Sequence, residues 1–461
     1  MPLIKSISGI RGTIGGRPGE SLTPVDIVKF SSAYGTWLGR RHRGKRLMVV
    51  IGRDARRSGS MVSSLVSNTL RSLGIDVTDI GLASTPTVEM AVTGTGANGG
   101  IIITASHNPA EWNALKLLNE KGEFLSASDG NELLSIAESE DFSYAPLDET
   151  GSYVHDDSWS RIHIEQVLAL NLVDRKAVAN AGFTVAVDCV NSVGGIIVPA
   201  LLKSLGVKNI VELNTTPDGH FAHNPEPLPA NLGEISSLMA SSGADVGFVV
   251  DPDVDRLAII CEDGSMFGEE YTLVAVSDYV LAVTPGNTVS NLSSTRALKD
   301  ITEKHGGQYF TAMVGEVNVV EEMKKRGAVI GGEGNGGVIY PALHYGRDAV
   351  AGIALFLSHL ALSGMKCSEL RKTYPDYFMA KKKLDLPEGI SFQRILDSVR
   401  EDFAGHEMDE RDGMRIEYGN GWVQVRKSNT EPVMRVYAEG PTPEEAEGLA
   451  DKVIEIVKKV K

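Results

Sequence analysis

The sequence has no apolar run near the roughly 20 residues that a membrane helix needs. Its opening stretch, MPLIKSISGIRG, lacks the basic start and long apolar core of a secretory leader. These absences lead us to expect a cytoplasmic protein with no membrane partner. Cysteine is scarce: Cys189, Cys261 and Cys367 are the only three in 461 residues, widely spaced and each beside apolar neighbours. That number supplies neither a disulfide framework nor a zinc-ligand spacing, so the three read as reduced packing residues. Positive charge is also short. A formal net charge of −15 excludes the broad basic surface that nucleic-acid binding requires. It still leaves room for a small anion held by a local cluster of arginines and backbone amides.

What is present suits several domains. With 42% hydrophobic residues over 461 positions, the chain exceeds what a single core accommodates. Short β-branched runs ending in polar turns alternate with amphipathic stretches, the pattern of parallel α/β sheets. The runs 47–51, 101–104, 184–187 and 246–250 are examples. This spacing predicts three related α/β units over 1–150, 151–254 and 255–368. A C-terminal α+β domain over 369–461 follows, where short strands at 415–418, 422–426 and 433–439 lead into a closing amphipathic helix. Ligands bind at the carboxyl ends of strands in open α/β sheets, so the polar ends are where chemistry is expected.

Four such ends stand out. In Thr104-Ala-Ser-His-Asn-Pro109, Ser106 follows a buried-looking strand and is expected to be exposed on a rigid support. No G-x-S-x-G elbow or triad partner accompanies it, so a hydrolase is the poorer reading, and a hydroxyl satisfying turn amides is the plain alternative. Lys116 lies in a second apolar stretch that folds back beside the serine, where nearby cations or burial would let it lose its proton and act as a base. In Asp251-Pro-Asp-Val-Asp-Arg256 three carboxylates alternate after a strand. Oxygen-only ligation of this kind favours magnesium, calcium or manganese. An EF-hand fails because Arg256 stands where the loop needs glycine.

The third end, Gly331-Gly-Glu-Gly-Asn-Gly-Gly337, lacks a P-loop ending and offers Glu333 and Asn335 on a backbone that can approach a ligand closely. In the fourth, Arg426-Lys-Ser-Asn-Thr-Glu-Pro-Val-Met-Arg435 gathers guanidinium, hydroxyl and amide donors into a compact anion site. Gly9-Ile-Arg-Gly12 adds Arg11 on a glycine-flanked turn.

Together the motifs SGIRG (8–12), TASHNP (104–109), DPDVDR (251–256), GEGNGG (332–337) and RKSNTEP (426–432) resemble those of the α-D-phosphohexomutase family, in order and over nearly the whole chain. The resemblance implies a heart-shaped, four-domain enzyme whose last domain is similar to the TATA-binding-protein fold. It implies that Ser106 carries a phosphoryl group and that Asp251, Asp253 and Asp255 bind magnesium with it. Arg256 and Lys116 would assist transfer, and Arg11 would contact the phosphoserine. Glu333 and Asn335 would grip sugar hydroxyls, while Arg426, Ser428, Asn429, Thr430 and Arg435 would hold the distal phosphate.

Many members end the sugar loop in Ser-Gly-His. Here Asn335, Gly336 and Gly337 stand there, so the imidazole is missing, and His344 is the candidate substitute. The implied reaction interconverts hexose 6-phosphate and hexose 1-phosphate through a bound hexose 1,6-bisphosphate, which also serves as activator. Glucosamine phosphate is favoured narrowly over glucose and mannose phosphates. The alternatives are a hexose-1,6-bisphosphate synthase or phosphatase and a catalytically silent sugar-phosphate sensor. A homo-oligomer is compatible with the sequence.

Overall fold

Residues 3–6, 9–385, 390–427 and 433–460 are described by the structure, a computed structural model. The expected strands form, because β-branched runs fill positions buried on both faces: every residue of Gly99–Ile103 and of Val246–Val250 is buried. Four sheets result.

The first has seven strands in the order Ile4–Ser6, Gly9–Thr13, Trp112–Leu118, Gly99–Ile103, Met48–Arg53, Asp76–Leu82, Tyr153–His155. The second runs Leu257–Cys261, Val246–Val250, Thr184–Asp188, Asn209–Leu213, and the third Tyr309–Ala312, Thr288–Asn291, Ile330–Glu333, Gly337–Ile339. The fourth is a five-stranded antiparallel sheet of Phe378–Asp385, Val433–Gly440, Gly421–Lys427, Met414–Tyr418 and Met408–Asp409, backed by helices Phe392–Asp402 and Pro443–Lys459.

One unit repeats in the first three sheets. A strand with a parallel neighbour ends, a loop follows, and the chain returns as an antiparallel partner. The pairs are Gly99–Ile103 with Trp112–Leu118, Val246–Val250 with Leu257–Cys261, and Ile330–Glu333 with Gly337–Ile339. The serine, aspartate and glycine loops are these three connections. The returning strands also move the joins between units. Tyr153–His155 belongs to the first sheet and Leu257–Cys261 to the second, so the joins fall beyond residues 155 and 261 instead of at 150 and 254.

The second and third units share one apolar core. Helix Ala349–Ser363 lies in it with every residue from Ala349 to Ser358 buried, and Phe356 meets Phe248 and Phe267 edge-on at 6.1 and 5.2 Å between ring centroids. That shared core fixes the aspartate loop relative to the glycine loop. Among the described residues no helix is long and apolar enough to cross a membrane.

Candidate active site

The serine loop is shaped by its backbone carbonyls. Ser106 has φ 48°, a left-handed conformation uncommon for a residue with a side chain, so something must hold it. Arg56 does so: its guanidinium donates to the carbonyl oxygens of Ser106 (2.5 Å), Asn108 (2.6 Å), Pro109 (2.6 Å) and Trp112 (3.0 Å), and to Asp54 Oδ2 (3.0 Å). Thr104 Oγ1 donates to the same Asp54 and accepts from the Ser106 amide. Arg11 Nη1 reaches Asn108 Oδ1 at 3.1 Å, and burial lowers its pKa to about 10.

Ser106 itself is buried, not exposed as the sequence led us to expect. The cover comes from another domain, because Ser106 Oγ donates to Asp251 Oδ2 at 2.8 Å. His107 Nδ1 lies 3.4 Å from the hydroxyl, and burial holds this imidazole neutral by pushing its pKa well down.

All three units fasten the aspartate loop. The Thr85 amide donates to the Asp253 carbonyl (2.8 Å), Ser192 Oγ to Pro252 O (2.7 Å), Leu257 N to Gly336 O (3.0 Å) and Ala349 N to Val254 O (3.2 Å). The carboxylates of Asp251, Asp253 and Asp255 are buried, each with an oxygen within 4.8 Å of the others. Cations and donors occupy one side of the cluster. Asp253 Oδ2 accepts from Lys116 Nζ and Thr85 Oγ1, both at 2.6 Å, and Asp255 Oδ2 from Arg347 Nη2 at 2.6 Å.

Among the described residues, Asp253 Oδ1 and Asp255 Oδ1 are buried without a hydrogen-bond partner. Orphaned anionic oxygens of this kind are costly unless a ligand takes them up. The donor set is all oxygen, which fits magnesium or another hard divalent cation. Burial, then repulsion from Asp255 and Asp253, pushes the Asp251 carboxyl well above its usual range.

Lys116 sits on the returning strand, with Ile102 as its cross-strand partner. Its neighbours correct the expectation that it sheds its proton. Burial favours loss, yet Asp253 and Asp255 outweigh burial and raise its pKa. Lys116 is therefore a buried cation. Arg256 Nη1 lies 3.4 Å from Glu226 Oε1, and Arg256 Nε makes no hydrogen bond among the described residues, its carboxylate neighbour being Asp255 Oδ1 at 3.9 Å.

In the glycine loop both oxygens of Glu333 are engaged. Oε1 accepts from Asn291 (2.8 Å) and the Gly315 amide (3.0 Å), and Oε2 from Arg347 Nη1 (2.8 Å). Asn335 Oδ1 accepts from the Gly337 amide at 3.2 Å.

His344 lies between Glu89 and Asp348, at 3.3 Å from Nδ1 and 3.2 Å from Nε2. Asp348 also meets His163 Nε2 at 2.8 Å and caps helix Ala349–Ser363. Burial alone would lower the His344 pKa, but Asp348 and Glu89 push it up to about 10. The structure thus ties both ring nitrogens of His344 to structural carboxylates and does not join it to Ser106 or the aspartate loop.

In the last domain Arg426 and Arg435 face each other across antiparallel strands, an unfavourable pairing unless an anion lies nearby. Arg426 Nε donates to Asp412 Oδ2 at 3.1 Å, and its buried Nη2 has no partner among the described residues. Ser428, Asn429 and Thr430 lie outside the described residues.

Sequence reasoning passed over Asp54, Arg56, Thr85, Glu226 and Arg347. Arg56 and Asp54 were detectable by the rule that picked out the other loops, as polar residues directly after the apolar strand Met48–Arg53.

Three sheets that aim strand-end loops at one another, around a buried serine and carboxylates open to a cation, define a phosphoryl-transfer enzyme of the phosphohexomutase kind. Comparison with known proteins agrees along the whole chain. Successive regions match Phosphoglucomutase/phosphomannomutase alpha/beta/alpha domain I (residues 4–144), domain II (161–264), domain III (268–377) and the C-terminal domain (383–456) of that family. The chain belongs to the phosphoglucomutase/phosphomannomutase family.

A phosphoglucomutase/phosphomannomutase of Thermococcus kodakarensis is 37% identical over 441 residues, covering 94% of this chain and 95% of that protein. A probable phosphoglucosamine mutase of Methanopyrus kandleri is 33% identical over 457 residues, covering 98% and 97%. The crystal structure of a phosphoglucomutase/phosphomannomutase family protein from Burkholderia thailandensis matches with a TM-score of 0.84 at 26% identity, covering 99% of this chain and 98% of that one.

Proposed function

We propose that this protein interconverts hexose 6-phosphate and hexose 1-phosphate through a phosphorylated Ser106 and a bound hexose 1,6-bisphosphate. The observation that carries this reading is the 2.8 Å hydrogen bond from Ser106 Oγ to Asp251, formed between two domains. It puts the oxygen that would bear the phosphoryl group against carboxylates whose remaining oxygens are open. A magnesium ion held by Asp251, Asp253, Asp255 and the serine oxygen would neutralise charge on the phosphoryl oxygens.

The chain's own residues supply the rest. Arg56 holds the serine carbonyl so that Oγ keeps one orientation. Lys116 and Arg256 bring fixed positive charge to the transferring group, and Arg256 Nε, which makes no hydrogen bond among the described residues, is a donor for one of its oxygens. Arg11, reaching the serine loop through Asn108, adds another. Arg426 and Arg435 grip the phosphate that does not react, with Ser428, Asn429 and Thr430 assigned there from the sequence. Glu333 and Asn335 read the sugar hydroxyls. Three reduced cysteines support a cytoplasmic setting. The names carried by the relatives favour glucosamine phosphate narrowly, with glucose and mannose phosphates next.

A coupled assay on the 1-phosphates of glucosamine, glucose and mannose, with catalytic hexose 1,6-bisphosphate, tests the reading. Ser106→Ala should abolish turnover, and intact-mass spectrometry should find one phosphoryl group on the wild-type protein and none on the variant. Substantial mutase activity in Ser106→Ala would overturn it, and release of bisphosphate faster than isomerisation would assign a bisphosphate synthase instead.

A further inference from the structure

Arg347 joins loops of two domains. Its guanidinium is buried and donates to three carboxylates on three separate segments: Asp255 Oδ2 at 2.6 Å, Glu333 Oε2 at 2.8 Å and Glu316 Oε2 at 3.0 Å. Its backbone amide donates to the other Glu316 oxygen at 3.2 Å. The segment carrying it is fixed on both sides, by a bridge from Ile339 to Arg347 and by Asp348 capping the next helix. No other side chain contacts both the aspartate loop and the glycine loop through hydrogen bonds among the described residues.

Gly337 explains how Arg347 gets there. Its φ lies outside the left-handed range, so the missing side chain serves space and not backbone conformation. A Cβ at this position would stand 2.3 Å from Arg347 Cδ, 3.0 Å from Cγ and 3.0 Å from Asn335 Oδ1, so the closest overlap is with the arginine stem. The aliphatic stem of Arg347 therefore passes over Gly337 and needs it to be glycine.

We infer that Arg347 and Gly337 form a positioning pair that aims Asp255 at the cation and Glu333 at the sugar, so that cation binding and sugar recognition are coupled. The geometry gives the reason. By occupying Asp255 Oδ2, Arg347 leaves Oδ1 without a hydrogen bond and so available to a cation, and the same rigid fork sets where Glu333 presents its carboxylate. An interaction that fixes both loops makes each ligand sensitive to the other, and such coupling is reciprocal. Lysine cannot replace the fork, because a single ammonium does not span three carboxylates in one plane.

The inference rests on the proposed function for the identity of the sugar site, so its test begins with a measurement that does not need turnover. Manganese binding is titrated by calorimetry to the dephosphorylated full-length protein without sugar phosphate, for wild type, Arg347→Lys, Gly337→Ala and the double variant. Both single variants keep the charge, so any loss reports geometry. Each should bind manganese about tenfold more weakly, as expected when a partner that orients a metal ligand is disturbed. The double variant should be little worse than either single, since both disturb one interaction. The KM for sugar phosphate should rise in parallel.

Unchanged manganese affinity and KM in Gly337→Ala would overturn the inference, and additive losses in the double variant would overturn the pairing. If Arg347→Lys fails to fold, the Gly337→Ala titration decides alone. A wild-type protein that binds manganese but shows no mutase activity would refute the proposed function and leave the manganese result standing.

Discussion

Replacing Arg56 by methionine tests whether the serine loop is held by its carbonyls. The guanidinium makes five hydrogen bonds, four to carbonyls between Ser106 and Trp112 and one to Asp54, which is itself fully buried. Methionine keeps much of the packing volume and removes every donor. Water can compensate some of the carbonyls, but Asp54 is left as a buried charge without its ion partner, a loss that typically costs about 3–5 kcal/mol.

The penalty falls on one loop of a multidomain chain, where a single global unfolding energy is not well defined. The appropriate measurement is amide hydrogen exchange over residues 101–112. A loss of about 3–5 kcal/mol in opening energy speeds exchange there by on the order of 10² to 10⁴. Displacement of the serine by about 1 Å should cost on the order of 10² in kcat. Asp54→Asn combined with Arg56→Met should exchange more slowly than Arg56→Met alone, because the stranded charge is gone. Exchange unchanged within about threefold, or a double variant worse than the single, would refute this account.

Two further outcomes follow from the site. Arg426→Ala should raise the KM for sugar phosphate about 10–100-fold, the worth of one charged hydrogen bond, with kcat less affected. Unchanged KM in steady-state kinetics would remove Arg426 from the phosphate site. For His344, the folded pKa is pushed up to about 10 from an ordinary 6.5. Its contribution is therefore complete below about pH 6.5 and lost as pH climbs toward 10. The melting temperature of wild type should fall between pH 6.5 and 10 more steeply than that of His344→Asn, and parallel curves would contradict the assignment.

The strands and loops could be read in the sequence because their signals are local. An apolar run such as 246–250 followed by Asp-Pro-Asp marks both a strand and its functional end. The joins between units could not be placed, since Leu257–Cys261 follows the aspartate loop in sequence but closes the sheet before it. Long-range partners were equally hidden. Ser106 looked exposed because its cover lies 145 residues away, and Lys116 looked like a base until Asp253 and Asp255 came beside it. Arg347 resembled any polar loop residue beside the histidine that drew attention, and only its path over Gly337 sets it apart.

The aspartate loop takes its shape from Thr85, Ser192, Gly336 and Ala349, which belong to three different folding units. A piece that borrows its form in this way has none to carry with it. The middle unit produced alone could build its sheet and still present the three aspartates without the spacing that makes them a cation site. A chimera assembled from two relatives at a unit boundary would inherit a working centre only if the four holding residues and the loop came from compatible parents. The unit of inheritance for this chemistry is therefore the whole assembly, although the motif that marks it spans six residues.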